Sequence, residues 1–169
     1  LQLVSRVGEQ GSQQILLAGW PSGLAIGLEA NSLSSLLILL TTVLQLLVAL
    51  YAVATYLRDK LGAGFWPLSS LLQLGLTALW LSRDLFNLYV CLELLGIVAV
   101  ALVSLSGDKA IKPALNYLLL SLFGSLCYLL GVAMLYGAYG VLDISALALQ
   151  WQANLLSSAA LALMISPLT

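Results

Sequence analysis

Seven carboxylates and six basic side chains carry all the formal charge of this 169-residue chain, and one of them, Glu93, stands inside an apolar run of membrane length. Between Leu85 and Ser106 no other residue is charged. About 22 residues rising about 1.5 Å each cross a hydrocarbon core of about 30 Å. Glu93 enters about nine residues along that helix, too deep for its short side chain to reach either surface. An ionised carboxylate facing lipid at that depth costs a few kcal/mol, so it must be protonated, paired or turned towards a polar interior. Two readings follow. In one, Glu93 is a titrating group that takes up and releases a proton within the membrane. In the other, it stays protonated and only hydrogen-bonds a neighbouring helix to fix packing.

Little else in the chain supplies reactive chemistry. There is no histidine, and Cys91 and Cys127 lie mid-helix without ligand-like spacing, so both read as small packing residues and no metal site is expected. No haem ligand, iron-sulfur cysteine set or nucleotide-binding loop appears, so no cofactor is expected here, and redox groups would belong to partner subunits. A net charge of -1 without a Lys/Arg cluster excludes the basic footprint of a nucleic-acid partner. The chain is 62% hydrophobic and 8% charged, against about 25% charged in soluble domains. The fold class is therefore all-α, a polytopic transmembrane helix bundle, and no enzyme site is legible in its residues. It begins at Leu1 without a signal peptide and runs into an apolar segment at its end, which reads as an internal piece of a longer protein.

Five helices are expected to hold Glu93 in place. Residues 1–31 form the one long polar stretch and read as an extramembrane connection, with a short strand or hairpin edge around Leu24 to Glu29. Residues 32–169 form the bundle, opening with a cap at Asn31 or Ser32. The spans are placed at 33–57, 65–82, 85–106 and 113–136, with a further truncated one from 154. Their ends follow from Arg58-Asp59-Lys60 with Gly62 and Gly64, from Trp66-Pro67, from Arg83-Asp84, and from Ser106-Gly107-Asp108-Lys109 before Pro113. Trp66 and Trp80 mark opposite ends of the second span as an aromatic belt does. Asp143 can cap a short interfacial helix after Gly137 and Gly140.

On a helical wheel Phe86, Tyr89, Val90, Gly96 and Ile97 share the stripe of Glu93. A phenol thus lies one turn towards the start of the helix and a glycine one turn beyond. Asp84 and Asn87 add polar groups at the start, where Asp84 reads first as an N-cap and second as a relay. Tyr117, Ser121, Gly124, Ser125 and Tyr128 form one stripe of the next helix, suited to close approach and interhelical hydrogen bonds. No basic residue lies at the depth of Glu93 in any complete span, and Arg83, Lys109 and Lys112 read as topology signals at the surfaces. Arg58, Lys60, Lys109 and Lys112 fall on one side, which makes loops 58–64 and 107–112 cytoplasmic and residues 1–31 external. The expected location is the inner (plasma) membrane, with the lipid bilayer as the immediate partner.

The run Asp84-Leu-Phe-Asn-Leu-Tyr-Val-Cys-Leu-Glu93 closely resembles the fifth-helix motif of the proton-translocating antiporter-like membrane subunits. That family is shared by Mrp-type multisubunit cation/proton antiporters, NADH:quinone oxidoreductase (complex I) and membrane-bound hydrogenases. Ala18-Gly19-Trp20-Pro21 with Asn31-Ser32-Leu33-Ser34, and Leu135-Tyr136-Gly137 with Gly140-Val-Leu-Asp143, extend the likeness over nearly the whole chain. The Asp-Leu-Phe-Asn-Leu wording is most similar to the Mrp D-type subunit. The resemblance implies a fold of about fourteen helices in two inverted repeats, a design common among transporters. It implies that Glu93 is the central proton carrier, with Asp84, Asn87, Tyr89, Asn116 and Tyr117 as supporting residues, and that it pairs with a lysine of a broken seventh helix expected beyond Thr169. It also implies other subunits of a membrane complex as partners, with protons as a transported ion and the exchanged cation, sodium being one option, left open. One departure stands out: Asn116-Tyr117 occupies the place of a Lys-Tyr pair, and an amide cannot hold that charge. The alternatives left open are a complex I or hydrogenase setting, and a degenerate structural subunit without transport of its own.

Overall fold

The computed structural model describes residues 7, 11–17, 26–56, 62–151 and 155–165. Among the described residues the elements follow in the order β1 (Gln13–Leu17), β2 (Ile26–Ala30), α1 (Ser32–Tyr56), α2 (Gly62–Leu81), α3 (Leu85–Ser104), α4 (Asp108–Tyr139), α5 (Ile144–Gln150) and α6 (Leu155–Ile165). Among the described residues three helices are long and apolar enough to cross a membrane: Ser32–Thr55, Leu85–Ser104 and Asp108–Tyr139. The chain is a helical membrane bundle. α2 is not one of the three, because Pro67, Ser69, Ser70, Gln73 and Thr77 dilute its apolar content.

Each long helix packs on the next, and α6 returns onto α4. Asn31 starts α1 with a reciprocal cap, its Oδ1 accepting from the Ser34 N–H and its own N–H donating to Ser34 Oγ, both at 2.8 Å. Two amides then staple α1 to α2: Gln45 Nε2 donates to the Ser69 carbonyl at 3.3 Å, and Gln73 Nε2 to Thr42 Oγ1 at 3.1 Å. Between α2 and α3 the fit is by shape. A Cβ on Gly75 would come within 3.0 Å of Leu95 Cδ2. The tightest contact joins α4 to α6, where a Cβ on Gly131 would lie 2.6 Å from Met164 Cγ and 2.7 Å from the Ala160 carbonyl oxygen. Small residues admit such backbone approach where apolar packing gains nothing over lipid.

The two strands pair antiparallel, Gln13 opposite Ala30 through Leu17 opposite Ile26. β2 agrees with the strand expected near Leu24 to Glu29, whereas β1 falls in a stretch whose sequence reads only as polar connection. Two helices also begin earlier than their prolines suggest. α2 starts at Gly62 and α4 at Asp108, which puts Pro67 and Pro113 each at the sixth helical residue. There Pro113 forfeits the bond its N–H would make to the carbonyl of Lys109, and its ring crowds that carbonyl. Asp108 in the first turn of α4 favours that start through the helix dipole. Residues 108–112, expected in a loop, are therefore helical. At its other end α4 continues through Gly137 to Tyr139 and stops at Gly140, whose φ of 69° and N–H bond to the Tyr136 carbonyl at 2.8 Å make a left-handed cap. Arg58, Asp59 and Lys60, expected to end α1, and Ala18 to Pro21, part of the family likeness, lie outside the described residues.

Candidate functional site

The start of α3 is fixed by backbone pairing on both sides. The Arg83 N–H donates to the Gly27 carbonyl at 3.0 Å, the Leu85 N–H to the Leu142 carbonyl at 3.1 Å, and the Ile144 N–H to the Arg83 carbonyl at 3.1 Å. Residues 82–84 thus run between β2 and residues 142–144, joined to them by isolated bridges from Leu28 to Ser82 and from Asp84 to Asp143. Side chains close the same junction. Arg83 Nε lies 2.6 Å from Asp143 Oδ2 and its Nη1 3.6 Å from Glu29 Oε2, while Gln14 Nε2 donates to Glu29 Oε2 at 3.3 Å. The guanidinium therefore ties β2, the α2–α3 turn and the head of α5 together.

Two caps sit in this junction. Asp84 Oδ1 accepts from the Asn87 N–H at 2.6 Å and Asp143 Oδ1 from the Ala146 N–H at 2.9 Å. Asp84 is 5% exposed, and its Oδ2 is buried without a hydrogen-bond partner among the described residues. Burial pushes its carboxyl above the usual Asp value, with nearby Asp143 adding to the rise against the N–H groups of Asn87, Gly27 and Phe86. Asp143 goes the other way. Burial there is outweighed by the Ala146 N–H, the Ser145 hydroxyl and the Arg83 charge, and its carboxyl is held below the usual value.

Nine residues along α3, Glu93 lines a cleft of about 610 Å³ between α2, α3, α4 and α6. Among the described residues no hydrogen bond or ion pair reaches its carboxyl, and it is half-buried. The hydroxyl-bearing residues that line the cleft with it are Tyr89, Tyr117, Ser121, Ser125 and Tyr128; the rest is largely leucine. Gly96, one turn along, faces Ser121, whose Oγ is the nearest atom to a Cβ built there, at 3.9 Å. The stripe expected on α4 to pack against a helix is thus the wall that faces Glu93. Such a pocket, with one carboxyl and several hydroxyls in apolar surroundings, can hold a proton and a few waters.

Of the residues singled out in the sequence, the cleft brings Glu93, Tyr89 and Tyr117 together. Asp84 and Asn87 lie outside it at the helix start, joined in the cap, with Asn87 Nδ2 donating to Ser82 Oγ at 3.1 Å. Asn116 is exposed on α4 and does not line the cleft. Two residues matter more than the sequence suggests. Arg83, in sequence a topology signal, is the hub of the junction, and Tyr128, in sequence a packing residue, stacks on Tyr89 beside Glu93. The spacing of Tyr128 from Tyr117 and Ser121 is the available signal; for Arg83 there is none, since its partners lie 54 and 60 residues away (83 − 29 and 143 − 83).

Fold and cleft together define a helical membrane protein with a carboxyl at membrane depth among its described residues. Residues 82–168, half of the chain, match the family described as NADH:quinone oxidoreductase/Mrp antiporter, transmembrane. The chain belongs to this family. It is 32% identical over 149 residues to the D-type subunit of the Na(+)/H(+) antiporter of Bacillus subtilis, covering 88% of this chain and 30% of that one. It is 36% identical over 135 residues to the N-type subunit of the NADH-quinone oxidoreductase of Desulforudis audaxviator, covering 78% and 27%. Among solved structures, a chain of the membrane-bound sulfane sulfur reductase, an archaeal respiratory membrane complex, superposes with a TM-score of 0.88 at 30% identity, covering 99% of this chain and 35% of that one. The chain spans about a third of the length of the relatives it matches.

Proposed function

We propose that this chain belongs to the proton-translocating subunit of a multisubunit monovalent cation/proton antiporter, with Glu93 as its intramembrane proton carrier. The observation that carries the reading is the absence of any hydrogen-bond or ion-pair partner for Glu93 among the described residues, in a cleft whose polar groups are all hydroxyls. A carboxyl in such a site is free to exchange its proton with water. A cation brought near favours its charged form, and drying the cleft favours the neutral one. Moving one charge through about 100 mV involves about 2.3 kcal/mol, the scale on which such a swing couples to a membrane potential. Tyr89 and Tyr117 serve as hydroxyl neighbours, and Asp84 and Asn87 act by holding the helix that carries Glu93.

The protons exchange against sodium in this reading, in line with the Bacillus subtilis relative, a component of a Na(+)/H(+) antiporter. The complex sits in the inner (plasma) membrane, with residues 1–31 forming the extramembrane connection and residues 32–169 the bundle. Residues 1–31 face outward, while loop 58–64 and the segment 107–112 face the cytoplasm. Lys109 and Lys112 lie at the end of α3 opposite Arg83, and that two-to-one bias in basic residues supports this orientation.

The test is Glu93→Gln in the assembled complex in everted membrane vesicles. Cation-driven proton flux should fall to background while the complex assembles at its usual level; flux at the parent rate would sink the proposal. A second setting, an antiporter-like component of a respiratory enzyme in which redox chemistry resides on other chains, is favoured by the oxidoreductase relative and the reductase structure. It is told apart by whether flux in the same vesicles follows an added cation gradient or electron transfer. If the chain is degenerate and structural instead, Glu93→Gln keeps activity, while Gly96→Leu or Gly124→Leu disrupts assembly.

A further inference from the structure

The Glu93 cleft and the charged junction around Arg83 lie at successive levels of α3, and what separates them is aromatic and apolar. Tyr89, one turn from Glu93 towards the helix start, stacks on Tyr128 of α4 with ring centroids 6.3 Å apart and planes 10° apart. Tyr128 is 8% exposed, and its hydroxyl donates to the Leu85 carbonyl at 3.3 Å, in the first turn of α3. Both rings also line the cleft. Behind them stands a packed cluster that includes Tyr128, Leu135 and Leu142, with Leu85 and Leu88 packed against it. Beyond that layer come Asp84, Arg83 and Asp143.

We propose that the stacked Tyr89–Tyr128 pair is a gate that closes the Arg83 end of the Glu93 cleft. The proposal rests on the reading of Glu93 as proton carrier. An apolar constriction resists wetting and so stops water and hydrated ions without a charged barrier. A tyrosine pair adds a property that leucines lack: a hydroxyl that releases Leu85 and turns into the cleft carries water with it. Rotation of Tyr128 exchanges one carbonyl bond for bonds to water, a small difference in free energy. The ring stack and that one bond therefore hold the gate shut without locking it. With the gate closed, Glu93 exchanges protons only with groups on its own side of the layer, as a carrier that must not leak requires.

The experiment measures access rather than transport, so that it can fail independently of the carrier reading. In the assembled complex with Cys91 and Cys127 replaced by Ala, Ser121→Cys places a thiol in the cleft wall, and a charged, membrane-impermeant thiol reagent is applied from the Arg83 side. A gate open no more than about one-tenth of the time implies at least about tenfold faster labelling once Tyr128→Ala removes it. Tyr128→Phe, which keeps the ring but loses the bond to Leu85, should label faster than the parent and more slowly than Tyr128→Ala. If Tyr128→Ala does not assemble, Tyr89→Ser, at a half-buried position, carries the same expectation. Equal labelling in parent and ring-deleted proteins overturns the gate. Retained flux in Glu93→Gln overturns the carrier while leaving the labelling result standing.

Discussion

Asp84 and Glu93 are two carboxylates on one helix whose surroundings differ in nearly every respect. Asp84 caps the helix start, bonds the Asn87 N–H and sits in a layer stitched by backbone pairs and the Arg83–Asp143 contact. Glu93, nine residues on, has a cleft and hydroxyls around it and no bond among the described residues. The difference separates two uses of a carboxyl. A group that holds structure is spent on its neighbours, whereas one that carries a proton must have its oxygens free to exchange.

The sharpest way to break this contrast is to neutralise each carboxyl in turn. Glu93→Gln should abolish proton-coupled flux with little change in thermal stability. Asp84→Asn, which keeps an N-cap acceptor, should leave flux measurable. Loss of flux in Asp84→Asn at normal assembly would erase the distinction. Next in size is Arg83→Gln, which removes the charge shared by Asp143 and Glu29. Its side chain is 22% exposed, so the loss should fall between surface and buried pairs, at about 2 kcal/mol. Thermal melting of the intact protein reads it. Asp84→Ala should cost about 1 kcal/mol through the lost cap. The smallest effect belongs to Glu29→Gln, whose contact with Arg83 is long at 3.6 Å; it should change stability by no more than about 0.5 kcal/mol.

The two aspartates of the junction also have opposite signs with pH. The carboxyl of Asp84 is raised in the folded protein, so its contribution is present below the ordinary Asp value of 3.8 and is lost as pH rises through its folded value. The carboxyl of Asp143 is lowered, so its contribution is present above 3.8 and is lost as pH falls through its folded value. Melting curves from mildly acidic to acidic pH should therefore show Asp84→Asn gaining on the parent as pH rises. Asp143→Asn should fall further behind over the same rise. Parallel curves would show that the junction does not distinguish the two groups.

Much of this is legible in order along the chain. The apolar runs around Glu93, and the caps at Asn31, Asp84 and Asp143, depend on residues within one helical turn, and local spacing reports them directly. The stripe from Tyr117 to Tyr128 is legible as a face, but not as the wall opposite Glu93. The early helix starts are not legible, because Pro67 and Pro113 suit a first helical turn, and a proline one turn further in loses a backbone bond and crowds the carbonyl four residues back. β1 escapes the sequence because its partner, β2, lies across residues 18–25, and strand pairing is invisible to a local pattern.

The sequence by itself determined that this is a helical membrane chain with one carboxyl at membrane depth, because hydrophobic length and an isolated charge are properties of a single segment. Only the tertiary structure decided that Tyr117, Ser121 and Tyr128 share a cleft with Glu93 while Asn116 does not, and that Arg83 gathers Glu29 and Asp143 into one junction. Those outcomes depend on the rotation and offset of helices against one another. Interhelical packing sets both, and it is a sum over contacts between residues far apart in the chain.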